Sequence, residues 1–99
     1  MLVADNTVAT HLYRIVQEAI SNAVKHGQAR FIIVSLSCSE DQLTLRIWNN
    51  GAEFPVGASA EGGLGLRIMQ YRADMIAATL KISSAKGKGT TVECTFKMN

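Results

Sequence analysis

The 99-residue sequence predicts an α+β domain: a two-layer sandwich with helices on one face of a mixed, mainly antiparallel sheet. Two observations predict it. Hydrophobic periodicity runs helix, strand, strand, loop, helix, strand, strand, and each pair of strands is separated only by a short turn. A parallel βαβ winding would instead alternate strands and helices singly. The length allows one core and one domain, spanning residues 1–99.

The strongest helical signal covers Thr7 to His26. Leu12, Ile15, Val16, Ala19, Ile20 and Ala23 recur at the i, i+3, i+4, i+7 spacing of a single buried face. Asn6 or Thr7 can cap its start, and Gly27 is placed to supply a left-handed stop. Arg30 to Ser39 is a β-branched, partly alternating run, and Leu43 to Trp48 alternates cleanly. The intervening SEDQ is sized for a hairpin turn, so the two strands should be antiparallel neighbours.

Asn49 to Gly65 breaks every periodicity and holds the only proline, as a long functional loop would. Helical spacing returns at Leu66, Met69, Ala73 and Ile76, giving a second helix from about Leu64 to Ala78. Two further strands follow, Thr79 to Ser84 and Thr91 to Lys97, joined by the tight turn AKGKG.

With 47% hydrophobic and 18% charged residues, the chain has an ordinary globular composition. A net charge of +2 gives no sign of a nucleic-acid stripe or of direct membrane contact. Cys38 and Cys94 sit in apolar alternating runs without metal spacing, and read as core or strand thiols of a reduced, cytoplasmic protein. No apolar run approaches the ~18 residues of a membrane span, so an anchor of any parent protein would lie elsewhere.

The chemistry gathers on the first helix. With Glu18 at zero on a wheel of about 100° per residue, Asn22 falls near ~40°, Lys25 near ~−20° and His26 near ~80°, while the apolar stripe centres near ~130°. These polar residues border the buried face, where a side chain reaches a cleft while its helix stays anchored. Glu18 and Asn22 offer hard oxygens for a hydrated Mg²⁺, and Lys25 and His26 lie where phosphates would meet them. Taken alone, the same pattern describes a solvated helix border. At the end of the second strand, Gly51 permits close backbone approach and Asn49 presents an amide. Gly62 to Leu66 (GGLGL) opens a helix whose backbone N–H groups can meet an anion, although it is no P-loop. Gly89 and Thr90 restart the last strand.

E-x-x-x-N-x-x-K-H on a helix, NNG at a strand end, GGLGL entering a helix and GTT before a final strand together resemble the GHKL, or Bergerat-fold, ATPase domain of histidine kinases. The resemblance covers His11 to Phe96. LYRIVQEAISNAVKHG and GLGLRIMQYRADMI are most similar to the nitrate-sensor-like group of two-component sensor kinases.

That resemblance implies an ATP site with Mg²⁺. Asn22 would bind the Mg²⁺, Glu18 would orient or activate the reacting groups, and Lys25 and His26 would contact phosphates. Asn49 would stand where the family has an Asp accepting from the amino group of adenine. It keeps a carbonyl acceptor without the charge, which weakens that contact. Gly51 follows as the first glycine of that box, and Glu53 replaces the second. Gly63, Leu64, Gly65 and Leu66 match the second glycine box, Thr90 flanks the adenine pocket, and Ala52 to Gly62 would form a lid.

The implied reaction moves the γ-phosphoryl group of ATP to a histidine on a separate helical dimerisation domain, with a response regulator downstream. His11 and His26 lie on the nucleotide-site helix and are not its acceptors, so this chain alone should not autophosphorylate. Three alternatives stay open: a nucleotide-binding module without kinase chemistry, an anti-sigma-type serine kinase of the same superfamily, and a pure interaction domain that binds no nucleotide.

Overall fold

In the computed structural model, residues 6–51, 63–85 and 87–98 are described, with backbone only for 63 and 64. Six elements follow in order: α1 (Asn6–Lys25), β1 (Ile32–Ser39), β2 (Gln42–Asn49), α2 (Gly63–Met75), β3 (Thr79–Ala85) and β4 (Gly89–Lys97). The sheet order is β1-β2-β4-β3. All three pairings are antiparallel, the limiting form of the mainly antiparallel sheet expected from the sequence. β2 and β3 run parallel to each other, and β4 is inserted between them.

Register fixes which side chains meet the helices. Leu43, Leu45 and Ile47 of β2 lie opposite Phe96, Cys94 and Val92 of β4, which in turn oppose Leu80 and Ile82 of β3. These rows pack against Leu12, Ile15 and Ala19 of α1, and against Met69 and Ala73 of α2 with Ile76 just beyond it. Ile15, Leu43, Ile47, Met69 and Cys94 are fully buried, so truncating any of them would leave a cavity. The opposite sheet face is open to water and carries serine, threonine and the Arg46–Glu93 ion pair across β2 and β4.

α1 and α2 pack together, with α2 over β3 and α1 over β2 and β1. Arg72 Nη1 of α2 lies 3.3 Å from Nδ1 of the buried His11 on α1, a polar tie between the two helices. The helix layer leaves β1 largely bare. Ile33, Val34 and Leu36 are exposed there, and so is Cys38, which is a strand thiol and not a core one.

Helix ends depart from the expected pattern at one point. Gly27 does not adopt the left-handed conformation; Gln28 does, with φ 51°. The Asn22 carbonyl accepts from both His26 N–H (2.9 Å) and Gly27 N–H (3.2 Å), which widens the last turn and moves the reversal one residue on. The β1–β2 hairpin has the expected two-residue loop, with Glu40 at φ 56°.

Candidate nucleotide cleft between the helices and one end of the sheet

Period-two alternation on β2 runs Leu43, Leu45, Ile47 and then Asn49, all buried. On β4 the same inward row runs from Cys94 and Val92 to Thr90. On β3 it runs from Leu80 and Ile82 to Ser84, which lies opposite Thr90. Three neighbouring strands therefore change from apolar to polar at the same end of the sheet. Asn49 and Thr90 face each other across β2 and β4 there, 7% and 6% exposed. Buried polar side chains need partners or a ligand.

Their local bonds set the floor. Gly51 N–H donates to Asn49 Oδ1 at 2.8 Å, an Asx-type turn that closes β2. Asn50 Oδ1 accepts from the backbone N–H of Arg30 (3.0 Å) and Phe31 (2.8 Å), tying the α1–β1 connection to the same corner. Gly51 fits because a Cβ there would lie 2.5 Å from the Gly27 carbonyl oxygen. The Thr90 hydroxyl pairs with Ser84 Oγ at 3.0 Å. Gly89 has φ 79°, and a Cβ on it would meet the Asn49 carbonyl oxygen at 2.0 Å. Trp48 Nε1 donates to the Lys88 carbonyl oxygen at 3.1 Å and pins the β3–β4 turn to β2.

Above this floor lies a cleft enclosing about 360 Å³ of space, part of it open to solvent. Ala19, Asn22, Ala23 and Gly27 form one wall, Leu66 and Met69 another, with Asn49, Thr90, Ile82 and Val92 beneath. It is a mostly apolar slot with a few polar groups, the usual build of a small-molecule site. On its α1 side, Glu18 and Asn22 converge on α2. A Cβ added to Gly65 would lie 2.8 Å from Glu18 Oε2, 3.1 Å from Asn22 Oδ1 and 3.1 Å from Asn22 Nδ2. The glycine lets both side chains reach the start of α2.

Among the residues singled out from sequence, Asn22, Asn49, Leu66 and Thr90 line the cleft. Glu18, Gly51 and Gly65 lie against lining residues or the backbone that holds them. Gly63 and Leu64 form the first turn of α2. Lys25 and His26 are exposed and not among the lining residues. Glu53 and the remainder of the segment Ala52 to Gly62 lie outside the described residues. Sequence reasoning did not assign Ala19, Ala23, Gly27, Met69, Ile82 and Val92 to the site. Most of these walls continue the core stripes of their elements, and nothing in residue type separates a core wall from a cleft wall.

Comparison with known proteins bears directly on this arrangement. Residues 7–99 match the family model described as histidine kinase-, DNA gyrase B- and HSP90-like ATPase. The chain belongs to that family. A sensor protein, VraS, of Staphylococcus epidermidis (strain RP62A) is 41% identical over 92 residues, covering 93% of this chain and 26% of that protein. VraS of Staphylococcus aureus (strain COL) is 40% identical over the same length. The chain thus spans about a quarter of the length of these relatives. The ATP binding domain of PrrB from Mycobacterium tuberculosis superposes with TM-score 0.78 at 27% identity, over 91% of this chain and 68% of that one. The histidine kinase domain of the blue-light activated kinase from Erythrobacter litoralis EL346 shares the fold, with TM-score 0.79 at 23% identity, over 93% and 45% of the two chains. This chain is an ATPase-family domain similar to those of sensor histidine kinases, and the GHKL expectation drawn from its motifs holds.

Proposed function

We propose that the cleft binds a nucleoside triphosphate with Mg²⁺ and presents its γ-phosphoryl group to a histidine on a separate helical dimerisation domain. A response regulator receives the phosphoryl group next. The observation that carries this reading is the convergence of Glu18 and Asn22 on Gly65, one side of a slot whose far end holds the buried Asn49 and Thr90. In this reading the base would enter the apolar slot, and the polar wall would face the triphosphate.

Mg²⁺ fits the donor set. Asn22 Oδ1 and a Glu18 carboxylate oxygen approach one point beside Gly65. Mg²⁺ characteristically takes one or two protein oxygens and completes its shell with phosphate and water. The ion would supply charge neutralisation of the phosphates. Asn22 holds it, and Glu18 orients the reacting groups. Lys25 and His26, exposed at the end of α1, reach the phosphates as the site fills. Gly63 to Leu66 offer the N–H groups of the first turn of α2. His11, buried and bonded by Arg72, does not serve as a phosphoryl acceptor. The reaction belongs on the cytoplasmic side, where ATP is available.

The test is a titration of ATP with and without Mg²⁺, read by the single tryptophan, Trp48, next to Asn49 in β2. A histidine-bearing helical domain and radiolabelled ATP are then added. Mg²⁺-dependent binding followed by labelling of the histidine is the expected result. Binding without transfer would favour the module lacking kinase chemistry. Labelling of a serine on a small partner would favour the anti-sigma-type kinase.

A further inference from the structure

Asn49 is a cleft-lining side chain whose hydrogen-bonding polarity is fixed by the backbone. Its Oδ1 accepts from Gly51 N–H at 2.8 Å. That donor lies in a close backbone approach, since Gly51 sits so near the Gly27 carbonyl that no Cβ would fit. Rotating the Asn49 amide by half a turn would set its NH₂ against Gly51 N–H, donor against donor, and leave a part-buried backbone group without an acceptor. The amide is thus oriented with its NH₂ end unpaired and its oxygen, already bonded to Gly51 N–H, turned to the backbone. Nδ2 has no hydrogen-bond partner among the described residues. The other polar group of the floor, the Thr90 hydroxyl, pairs with Ser84 Oγ at 3.0 Å, and Ser84 Oγ in turn donates to the Gly89 carbonyl oxygen at 3.5 Å.

We infer that Asn49 sets the base preference of the cleft, which takes 6-oxopurine nucleoside triphosphates at least as well as ATP. The inference rests on the nucleotide reading above and deepens it. The Asp that the family resemblance implies at this position would accept on both oxygens, one from Gly51 N–H and one from the 6-amino group of adenine. The amide keeps the first bond and replaces the second acceptor by a donor. Adenine then presents N–H to N–H at its 6-position. Hypoxanthine and guanine carry a carbonyl oxygen there, which accepts from Asn49 Nδ2. A site built with one polarity discriminates against a ligand of the opposite polarity because buried groups are left unpaired.

ITP tests this directly, since its base differs from that of ATP only in the 6-oxo group and the proton on N1. Dissociation constants for Mg²⁺·ATP and Mg²⁺·ITP are measured by calorimetry on the 99-residue chain and on Asn49→Asp. The expected result is ITP bound at least as tightly as ATP by the unmodified chain. In Asn49→Asp the ratio should move by tenfold or more towards ATP. ATP as the tighter ligand of the unmodified chain would overturn the inference and leave the nucleotide site standing. An unchanged ratio in a folded Asn49→Asp would also overturn it. Failure to bind either nucleotide would remove the nucleotide reading itself and this inference with it. The ratio on the unmodified chain is decisive even if the variant does not fold.

Discussion

The floor of the cleft and its α1 wall are built by different means. At the floor, Asn49, Gly51, Thr90 and Gly89 are fixed by main-chain bonds and by approaches too close for a Cβ. At the wall, Glu18 and Asn22 are half-buried side chains that meet over Gly65, and Lys25 and His26 stand in solvent. A floor of this kind has its geometry before any ligand arrives, and it sets which ligand fits. A wall of this kind is completed by what it binds, and it decides what happens to the phosphates.

The largest effect should come from the wall. Asn22→Ala removes an oxygen from the proposed Mg²⁺ position while leaving the strand end untouched. Phosphoryl transfer to a supplied histidine domain should fall on the order of 10²-fold or more, since charge stabilisation by a metal contributes several kcal/mol. The thermal midpoint should stay within a few degrees. A variant that unfolds, or one that transfers at the original rate, would erase the distinction between the two regions.

A matched pair of glycine substitutions breaks the comparison more directly. Gly51→Ala places a Cβ 2.5 Å from the Gly27 carbonyl oxygen, a backbone atom that cannot move alone. It should cost about 2–3 kcal/mol in urea unfolding. Gly65→Ala meets the end of the Glu18 side chain at 2.8 Å, which can rotate away. Its stability should change by less than about 1 kcal/mol, helped by the better helix propensity of alanine. Mg²⁺·nucleotide affinity should nevertheless weaken, because Glu18 and Asn22 lose their common point. Equal losses of stability in the two variants would mean that both ends are backbone-built.

Much of this architecture was legible in the sequence, and the exceptions have physical causes. Each element appears within about three residues of its expected bounds, because period-two and period-3.6 patterns report directly on which side meets the core. Asn22 was found as a polar residue bordering the buried face of its helix, and Asn49 as an amide at a strand end beside a glycine. The wheel also grouped Lys25 and His26 with Glu18 and Asn22, yet α1 ends at Lys25 and both residues remain exposed. Gly27 read as a helix stop because glycine commonly fills that role. Its carbonyl instead receives the close approach of Gly51, a tertiary contact invisible to local pattern. The orientation of the Asn49 amide depends on one hydrogen bond and has no sequence signature. One further polar signal was present but unread: continuing the alternation of β3 places Ser84 in line with Thr90 and Asn49.

The framework beneath the floor can be tested by pH. Burial pushes the Cys94 thiol up from an ordinary 9.0 to about 11. Its proton is therefore held more tightly in the folded chain than in the unfolded one. Stability should be unaffected by this group below pH 9 and should fall as pH rises from about 9 to about 11. The total loss is about 2–3 kcal/mol at 1.36 kcal/mol per unit, relative to Cys94→Ala. Iodoacetamide at pH 8 should label the exposed Cys38 and spare Cys94.

The smallest expected effect is a gain, and it lies away from both regions. α2 ends in a Schellman motif: Ala78 N–H donates to the Ala73 carbonyl at 2.8 Å and Ala77 N–H to the Asp74 carbonyl at 3.1 Å. Ala77 occupies the left-handed position of that motif, with φ 56°, where its Cβ is crowded. Ala77→Gly should therefore stabilise the domain by about 0.5–1 kcal/mol in urea unfolding, less the extra freedom glycine gives the unfolded chain. Nucleotide affinity and the ATP-to-ITP ratio should not move, because the substitution alters neither Asn49 nor the meeting point at Gly65. If affinity rose with stability, the cleft would be limited by the docking of α2 on the sheet. The wall would then have to be regarded as part of the same rigid frame as the floor.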